Sequence, residues 1–152
     1  MILGIISDTH GTLNGEVLEI FKGAAHIIHA GDIGAPDIIS TLAQVAPVTA
    51  VRGNTDNSAW SQSIPCKEMI ALGGHTFYVL HDLQQLDLEP QAAGIGAVIS
   101  GHTHQPELKQ QDGVLYMNPG SASQRRHGGA LSVGRIRIAG KGLRAEIIHL
   151  QL

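Results

Sequence analysis

Seven side chains able to bind a metal ion, Asp8, His10, Asp32, Asn54, His81, His102 and His104, fall in five short blocks of this sequence. The blocks are SDTHG (7–11), GD (31–32), GNTD (53–56), the histidine that follows YVL (78–80), and GHTH (101–104). A single Asp or Asn beside a glycine is ordinary turn chemistry. A single His beside an apolar run is more often a packed structural histidine than a ligand. Here a potential ligand recurs at the end of five successive apolar runs, and turn chemistry alone does not explain that recurrence. Seven ligands exceed the four of a tetrahedral zinc. They suit two ions if one carboxylate is shared, which is the two-metal arrangement used on phosphate esters. Carboxylate, amide oxygen and imidazole together favour Mn²⁺, Fe or Zn²⁺ over Ca²⁺ or an all-oxygen Mg²⁺ cage.

For these ligands to meet, the runs before them must be strands that end on one side of the molecule. ILGIIS (2–7), AHIIHA (25–30), PVTAVR (47–52), TFYVL (76–80) and GAVIS (96–100) are short, rich in Ile and Val, and bounded by Gly, Asp, Asn or Pro. They read as buried strands. In an α/β sheet, ligands bind outside the carboxyl ends of the strands, where loops from different strands converge. Residues 14–22 read as a helix with Asn14 as N-cap and Val17, Leu18 and Phe21 on one face. Residues 35–45 read as a second helix with Pro36 in its first turn. A third, over 82–93, is weakened by Pro90.

Beyond residue 106 the pattern changes to successive strands: ELKQ (107–110), GVLYMN (113–118), ALSVGRIRIAG (130–140) and LRAEIIHLQL (143–152), with a turn at GKG (140–142). Arg135 and Arg137 alternate with Ile136 and Ile138, as in a strand with one wet face. An α/β first part therefore runs without a linker into a mostly antiparallel β part, and one domain over 1–152 is expected.

A 43% apolar and 15% charged composition over 152 residues is that of a chain able to bury its own core. Ten Lys and Arg against thirteen Asp and Glu leave a formal charge of −3, so no general attraction to nucleic acid or an anionic membrane is expected. With one Trp, two Tyr and two Phe, there is little material for a groove that tracks a nucleic-acid strand. The lone Cys66 cannot form an intrachain disulfide and suits a reducing compartment. The apolar start MILGII ends at Ser7, too short for a signal peptide or a membrane span. A cytoplasmic location is expected.

The five blocks, in this order, resemble those of the calcineurin-like metallophosphoesterases, and NPGS (118–121) is similar to the small bacterial and archaeal phosphodiesterase branch. That resemblance implies a four-layer αββα sandwich, an α/β (α+β) fold with two mixed β-sheets. It implies that Asp8, His10 and His104 bind one metal, that Asn54, His81 and His102 bind the other, and that Asp32 bridges them. It also implies catalysis by a metal-bridging hydroxide, with no protein nucleophile. Manganese is the expected metal, with Fe, Zn, Ni or Mg as alternatives. The substrate is expected to be a small phosphodiester or phosphate ester, with no nucleic-acid or membrane partner and the oligomeric state left open.

One departure bears on the chemistry. Many members of the family read GNH[DE], and that histidine protonates the leaving oxygen with help from an acidic residue three positions after the bridging aspartate. Thr55 and Ala35 stand at those two positions here. A threonine hydroxyl is too weak an acid to replace imidazole, so the expected substrate is a phosphodiester, or an ester whose leaving group needs little protonation. The alternative is a protein-binding scaffold of the same fold with little catalysis.

Several residues have two readings. His29 would either orient Asp32 or pack in the core, and Arg52 would reach substrate phosphate or serve structure. Asp56 would take part of the acid's role or cap its loop, and Asp82 would support His81 or cap a helix. Asn118 and Ser121 would shape a turn beside the site or touch substrate. Arg125, Arg126 and His127 form a small basic cluster. Trp60 and Cys66 are expected to pack.

Overall fold

Ten strands build the protein, arranged in two five-stranded sheets in the computed structural model, which describes residues 1–124 and 129–151. The first sheet has the order β10-β9-β1-β2-β3, with β1 (Ile2–Ile6), β2 (His26–His29), β3 (Val48–Ala50), β9 (Ser132–Ala139) and β10 (Gly142–His149). The second has the order β4-β5-β6-β8-β7, with β4 (Lys67–Leu72), β5 (His75–Leu80), β6 (Ala97–Ile99), β7 (Glu107–Gln111) and β8 (Val114–Asn118). Both sheets are mixed. β1, β2 and β3 run parallel, with Ile6 opposite His29 and His29 opposite Ala50. β5, β6 and β8 also run parallel, with Val79 opposite Ile99 and Ile99 opposite Met117.

Period-2 alternation sorts the side chains into layers. Leu3, Ile5 and Ile28 of the first sheet meet Phe77, Val79, Ile99 and Met117 of the second in one buried cluster between the sheets. Ile6 and Ile27 point the other way, onto Val17 of α1 (Gly15–Ile20), its C-cap Phe21, and Ile38 and Leu42 of α2 (Pro36–Ala43). Asn14 caps α1, its side chain accepting the Glu16 N–H at 2.9 Å, and Pro36 opens α2. Gly4 permits the helix to lie close, because a Cβ there would sit 2.9 Å from the Phe21 ring. The outer face of the second sheet carries Tyr78, Leu80, Val98 and Val114, covered by Leu86, Leu88 and Ile95 from the connection between β5 and β6. The four layers are therefore helices, sheet, sheet and an outer loop. Pro90 keeps 82–93 from forming the helix considered for it; a 3-10 turn, Leu83–Gln85, forms instead.

Two features differ from the sequence expectation. β4 is absent from the predicted strands, although Gly73 and Gly74, at φ 58° and 83°, join it to β5 by a two-residue hairpin turn. The four late strands do not form one antiparallel unit. β7 and β8 complete the second sheet, with β8 parallel to β6, whereas β9 and β10 complete the first. No helix is long and apolar enough to cross a membrane among the described residues.

Candidate metal centre

All five strands that precede a candidate ligand, β1, β2, β3, β5 and β6, end on the same side, and their loops are sewn together through the backbone. Asp8 N–H donates to Gly31 O at 2.9 Å, His10 N–H to Asp32 O at 2.9 Å, and Gly101 N–H to His81 O at 2.9 Å. The glycines of the blocks make room for carboxylates. A Cβ on Gly53 would collide with the Asp32 side chain, and one on Gly101 with Ser7 and Asp8. Five of the seven candidate ligands sit in the left-handed backbone region: Asp8 (φ 56°), His10 (47°), Asp32 (55°), His102 (76°) and His104 (63°). Outside the site only Asp112, in the β7–β8 turn, does so among the described non-glycine residues. Each such residue costs about 1–3 kcal/mol, and such strain concentrates where function requires it.

The seven side chains converge as two groups joined by two carboxylates. Asp8 Oδ1 lies 3.2 Å from His104 Nε2 and 3.7 Å from His10 Nε2, and the two imidazole Nε2 atoms face each other at 3.4 Å. On the other side, His81 Nε2 lies 3.2 Å from Asp32 Oδ2, and His102 Nδ1 lies 3.1 Å from Asn54 Oδ1. The His81 and His102 rings stand edge to face, 5.1 Å apart. Asp32 Oδ2 is also 3.8 Å from His10 Nε2, and Asp8 Oδ1 is 3.8 Å from His81 Nε2. Both carboxylates thus stand between the groups; Asp8 belongs to each of the two clusters with metal-binding spacing, and Asp32 to one.

Each carboxylate secures its loop with one oxygen and presents the other. Asp8 Oδ2 accepts from the Ser7 hydroxyl at 2.8 Å and from His102 N–H at 3.1 Å, while its buried Oδ1 has no hydrogen-bond partner. Asp32 Oδ1 accepts the Thr55 N–H at 2.9 Å, leaving Oδ2 toward the histidines. His81 Nδ1–H donates to Ala30 O at 2.7 Å, so the lone pair of the neutral ring is on Nε2, which is buried without a hydrogen-bond partner. Fixing one ring nitrogen in this way sets the tautomer a metal ligand needs. Burial pushes the Asp32 carboxyl up, but the adjacent His81 imidazole and the Thr55 N–H outweigh it and hold the group well below the usual carboxylate range. Burial lowers His81, yet the Asp32 and Asp8 carboxylates outweigh it and raise the imidazole. Buried anions, unpartnered donor atoms and preset tautomers together fit divalent cations.

The residues with two readings now have defined contacts. His29, fully buried, accepts the Gly31 N–H on Nδ1 at 3.1 Å. Its Nε2 lies 3.0 Å from the hydroxyl of Thr9, which donates to Ile33 O at 2.7 Å, so Nε2 carries the proton. Both ring nitrogens are thus engaged without Asp32. Asp56 is a brace: its carboxylate accepts the N–H groups of Ile33 (2.9 Å), Gly34 (3.0 Å) and Gly53 (3.0 Å). Arg52 donates to Gln62 Oε1 and Cys66 Sγ. Asp82 caps the 3-10 turn through Gln84 N–H. Asn118 donates to Gly101 O and Thr103 Oγ1, and Ser121 donates to Asp8 O, so both hold the loops that carry ligands. Trp60 packs against the helical layer, whereas Cys66 is exposed and not packed. Arg125, Arg126 and His127 lie outside the described residues.

Sequence reasoning passed over Ser7, Thr9 and Ser123. Ser7 and Thr9 are flagged only by their place inside SDTHG, and Ser123, which also donates to Asp8 O, carries no motif signal. It also passed over two cavities that flank His102 and Asp82. One, of about 180 Å³, is lined by Asn54, His81, Arg52 and Lys67. The other, of about 480 Å³, runs along the outer face of β7 and β8.

Comparison with known proteins gives the family and the fold. The chain is 34% identical to a probable metallophosphoesterase of Methanothermobacter thermautotrophicus, covering 98% of this chain and 92% of the relative. In structure it is similar to an archaeal phosphodiesterase, with a TM-score of 0.79 and 24% identity over 97% of this chain and all of that one. It is also similar to Vps29 of Entamoeba histolytica in complex with zinc, with a TM-score of 0.78 and 19% identity over 98% of this chain and 99% of that one. The family model for the calcineurin-like phosphoesterase superfamily domain matches residues 1–141, and the chain belongs to that superfamily.

Proposed function

We propose that this protein is a phosphodiesterase that uses two divalent metal ions and acts on small phosphodiesters. The observation that carries the reading is the pairing of ligand groups: Asp8, His10 and His104 on one side, Asn54, His81 and His102 on the other, with Asp32 Oδ2 within 3.8 Å of a histidine from each. In this reading the first group holds one ion, the second group holds the other, and Asp32 is shared. Manganese is the proposed metal, with iron, zinc, nickel and magnesium as alternatives. Bound there, two such ions supply Lewis acidity toward phosphoryl oxygen and a water acidic enough to serve as nucleophile near neutral pH.

The chain's own residues set which esters react. Thr55 holds Asp32 through its N–H and offers only a hydroxyl at the position where an acid is needed. Ala35 carries no charge, and the carboxylate of Asp56 is consumed by three backbone N–H groups. None of these three positions supplies an imidazole to protonate a departing oxygen, so leaving groups that depart as stable anions are favoured. Arg52, beside Asn54 and His81 in the smaller cavity, attracts the negative charge of a phosphodiester, whereas Lys67 at the same cavity is paired with Asp87 at 3.0 Å. The lone cysteine suits action in a reducing cytoplasm by a single domain spanning 1–152.

The test is hydrolysis of bis-p-nitrophenyl phosphate beside p-nitrophenyl phosphate, after chelation and again after Mn²⁺ is restored. Metal-dependent diester cleavage that exceeds monoester cleavage is expected. Robust monoesterase activity would overturn the role given to Thr55. A Thr55→His variant sharpens this: its monoester rate is expected to rise about tenfold or more, within the usual contribution of a general acid. The likeness to Vps29 supports a second reading, a protein-binding scaffold. Stable binding of two ions with no turnover of either ester would favour it.

A further inference from the structure

The fourth layer of the fold is thin. Over β5, β6 and the start of β8 it is filled by Leu86, Leu88 and Ile95, but along β7 and the rest of β8 it leaves a cleft of about 480 Å³. The cleft lies between the 3-10 turn Leu83–Gln85 and the strand pair, and one end of it is formed by Gly101, His102 and Thr103 of the candidate metal centre. Its floor and wall are apolar: Leu83, Leu86 and the half-buried ring of Tyr116. Its rim is β7, where Glu107, Lys109 and Gln111 face the same side at a spacing of two residues. Those residues offer a carboxylate, an ammonium and an amide over roughly 14 Å of strand. Lys109 Nζ stands 5.8 Å from the centre of the Tyr116 ring. A volume of several hundred Å³ with an apolar lining and a few directed polar groups is that of a small-molecule subsite.

We infer that this cleft binds a nucleoside, as one ester arm of the phosphodiester whose phosphate sits at the metal centre. The inference rests on the phosphodiesterase reading and adds the substrate class to it. Three observations carry it. The cleft and the smaller Arg52–Lys67 cavity meet at His102 and Asp82, so a phosphate placed there has one enclosure on each side, as a diester requires and a monoester does not. The two enclosures are unequal, about 480 Å³ against about 180 Å³. A large arm therefore goes into the cleft and a small alcohol into the cavity. The cleft joins apolar surface and an aromatic ring to donors and acceptors in line, which suits a flat base whose faces are apolar and whose edge forms hydrogen bonds.

The experiment compares two diesters with the same leaving group on the Mn²⁺-loaded protein. One is thymidine 5′-(4-nitrophenyl phosphate), in which water adds its oxygen to phosphorus, the P–O bond to nitrophenol breaks, and thymidine 5′-phosphate and nitrophenolate result. The other is methyl 4-nitrophenyl phosphate, which has no arm for the cleft. We expect kcat/KM at least tenfold higher for the thymidine ester, with most of the difference in KM. Leu83→Asp, an exposed change on the apolar rim, and Tyr116→Leu, which removes the ring but keeps an apolar side chain, are each expected to lower that value about tenfold. The methyl ester should stay within twofold. Equal rates on both esters, or equal losses on both in the variants, would overturn the inference and leave the phosphodiesterase reading standing. Independently of turnover, thymidine added to metal-free protein is expected to shift the amide resonances of Leu83, Leu86 and Tyr116. No shift there would overturn the inference. Shifts without hydrolysis of either ester would keep the cleft as a nucleoside site and remove the phosphodiesterase reading.

Discussion

The two halves of the candidate centre are built differently. Asp8 and His104 are buried, and Asp8 is tied by Ser7, Ser121 and Ser123 and by its bond to the GD loop. On the other side only His81 is buried, while Asn54 is exposed, His102 is half-exposed, and their side chains lie 3.1 Å apart. The first half is therefore organised by the protein's own hydrogen bonds before any ligand arrives. The second half has one such fixed ligand candidate, His81, and closes through the exposed Asn54 and the half-exposed His102, which hold each other. A preorganised set of ligands loses little entropy on binding, so it retains its ion more strongly than a mobile set of equal donor strength. Under the proposed two-ion reading, the first half would retain its ion and the second, facing the two cavities, would exchange its own.

The largest effect is expected where the halves join. Asp8→Asn removes the negative charge from the one oxygen that stands near His10, His81 and His104. Activity on bis-p-nitrophenyl phosphate should fall by at least about a thousandfold, as expected when a directly acting charge is lost. Metal analysis after gel filtration should show depletion of both ions. A variant that keeps both ions and near-normal turnover would break the picture of Asp8 as the first-half carboxylate that also stands against His81 of the second.

A smaller and selective loss is expected from Asn54→Ala. It removes one exposed donor from the second half and touches nothing in the first. Activity should drop about 10–100-fold, the range over which supporting groups tune a metal site. The retained metal should approach one ion per chain, and excess Mn²⁺ should restore part of the rate. Equal depletion of both ions would erase the distinction between the halves.

Each half also has a brace, and the braces predict stability. Asp56 accepts N–H groups from both the GD loop and the GNTD loop, joining the backbone on either side of Asp32. Asp56→Ala would leave the buried Ile33 N–H and the part-buried Gly34 and Gly53 N–H groups without that partner, at a cost of about 3 kcal/mol. For a domain of this size that lowers Tm by roughly 10 °C, and calorimetry of the metal-free protein reads it. A shift below about 2 °C would show that water replaces the carboxylate.

Much of the centre was legible in the sequence because each ligand lies within a few residues of a short apolar run, and because Gly53 and Gly101 stand where a side chain would strike a carboxylate. The layered fold followed from the same runs and from Asn14 and Pro36, which start the helices. Other features have no local signature. β9 reaches the first sheet by pairing Gly4 with Arg135, a contact across most of the chain, while β8 joins the second sheet beside β6. Nothing in either strand's own pattern names those neighbours, which lie elsewhere in the chain. β4 begins with Lys67 and Glu68 at a sheet edge and hides its apolar face in Ile70 and Leu72. The partners of His29 and Asp56 depend on loop geometry, and the nucleoside cleft on how a turn near residue 84 meets β7.

The other brace, His29, gives the smallest effect near neutrality and one with a definite sign. It ties Thr9, between the first-half ligands Asp8 and His10, to Gly31, beside Asp32. Burial holds its imidazole far below the ordinary 6.5, at about 3, in spite of the nearby Asp56 carboxylate, and Nδ1 is already occupied by the Gly31 N–H. The folded state therefore binds no proton at His29 until the pH approaches 3, whereas the unfolded chain binds one below 6.5. Stability from this residue is at its maximum above pH 6.5 and is lost as the pH falls from there toward 3, by at most about 1.4 kcal/mol per pH unit. Denaturation of the metal-free protein from pH 7.5 to 4.5 should show that slope. In a His29→Gln variant, where no proton can be taken up, the slope should be shallower by about one proton. If both proteins lost stability in parallel, the acid sensitivity would belong to the ligand histidines, and His29 would brace the first half without linking it to pH.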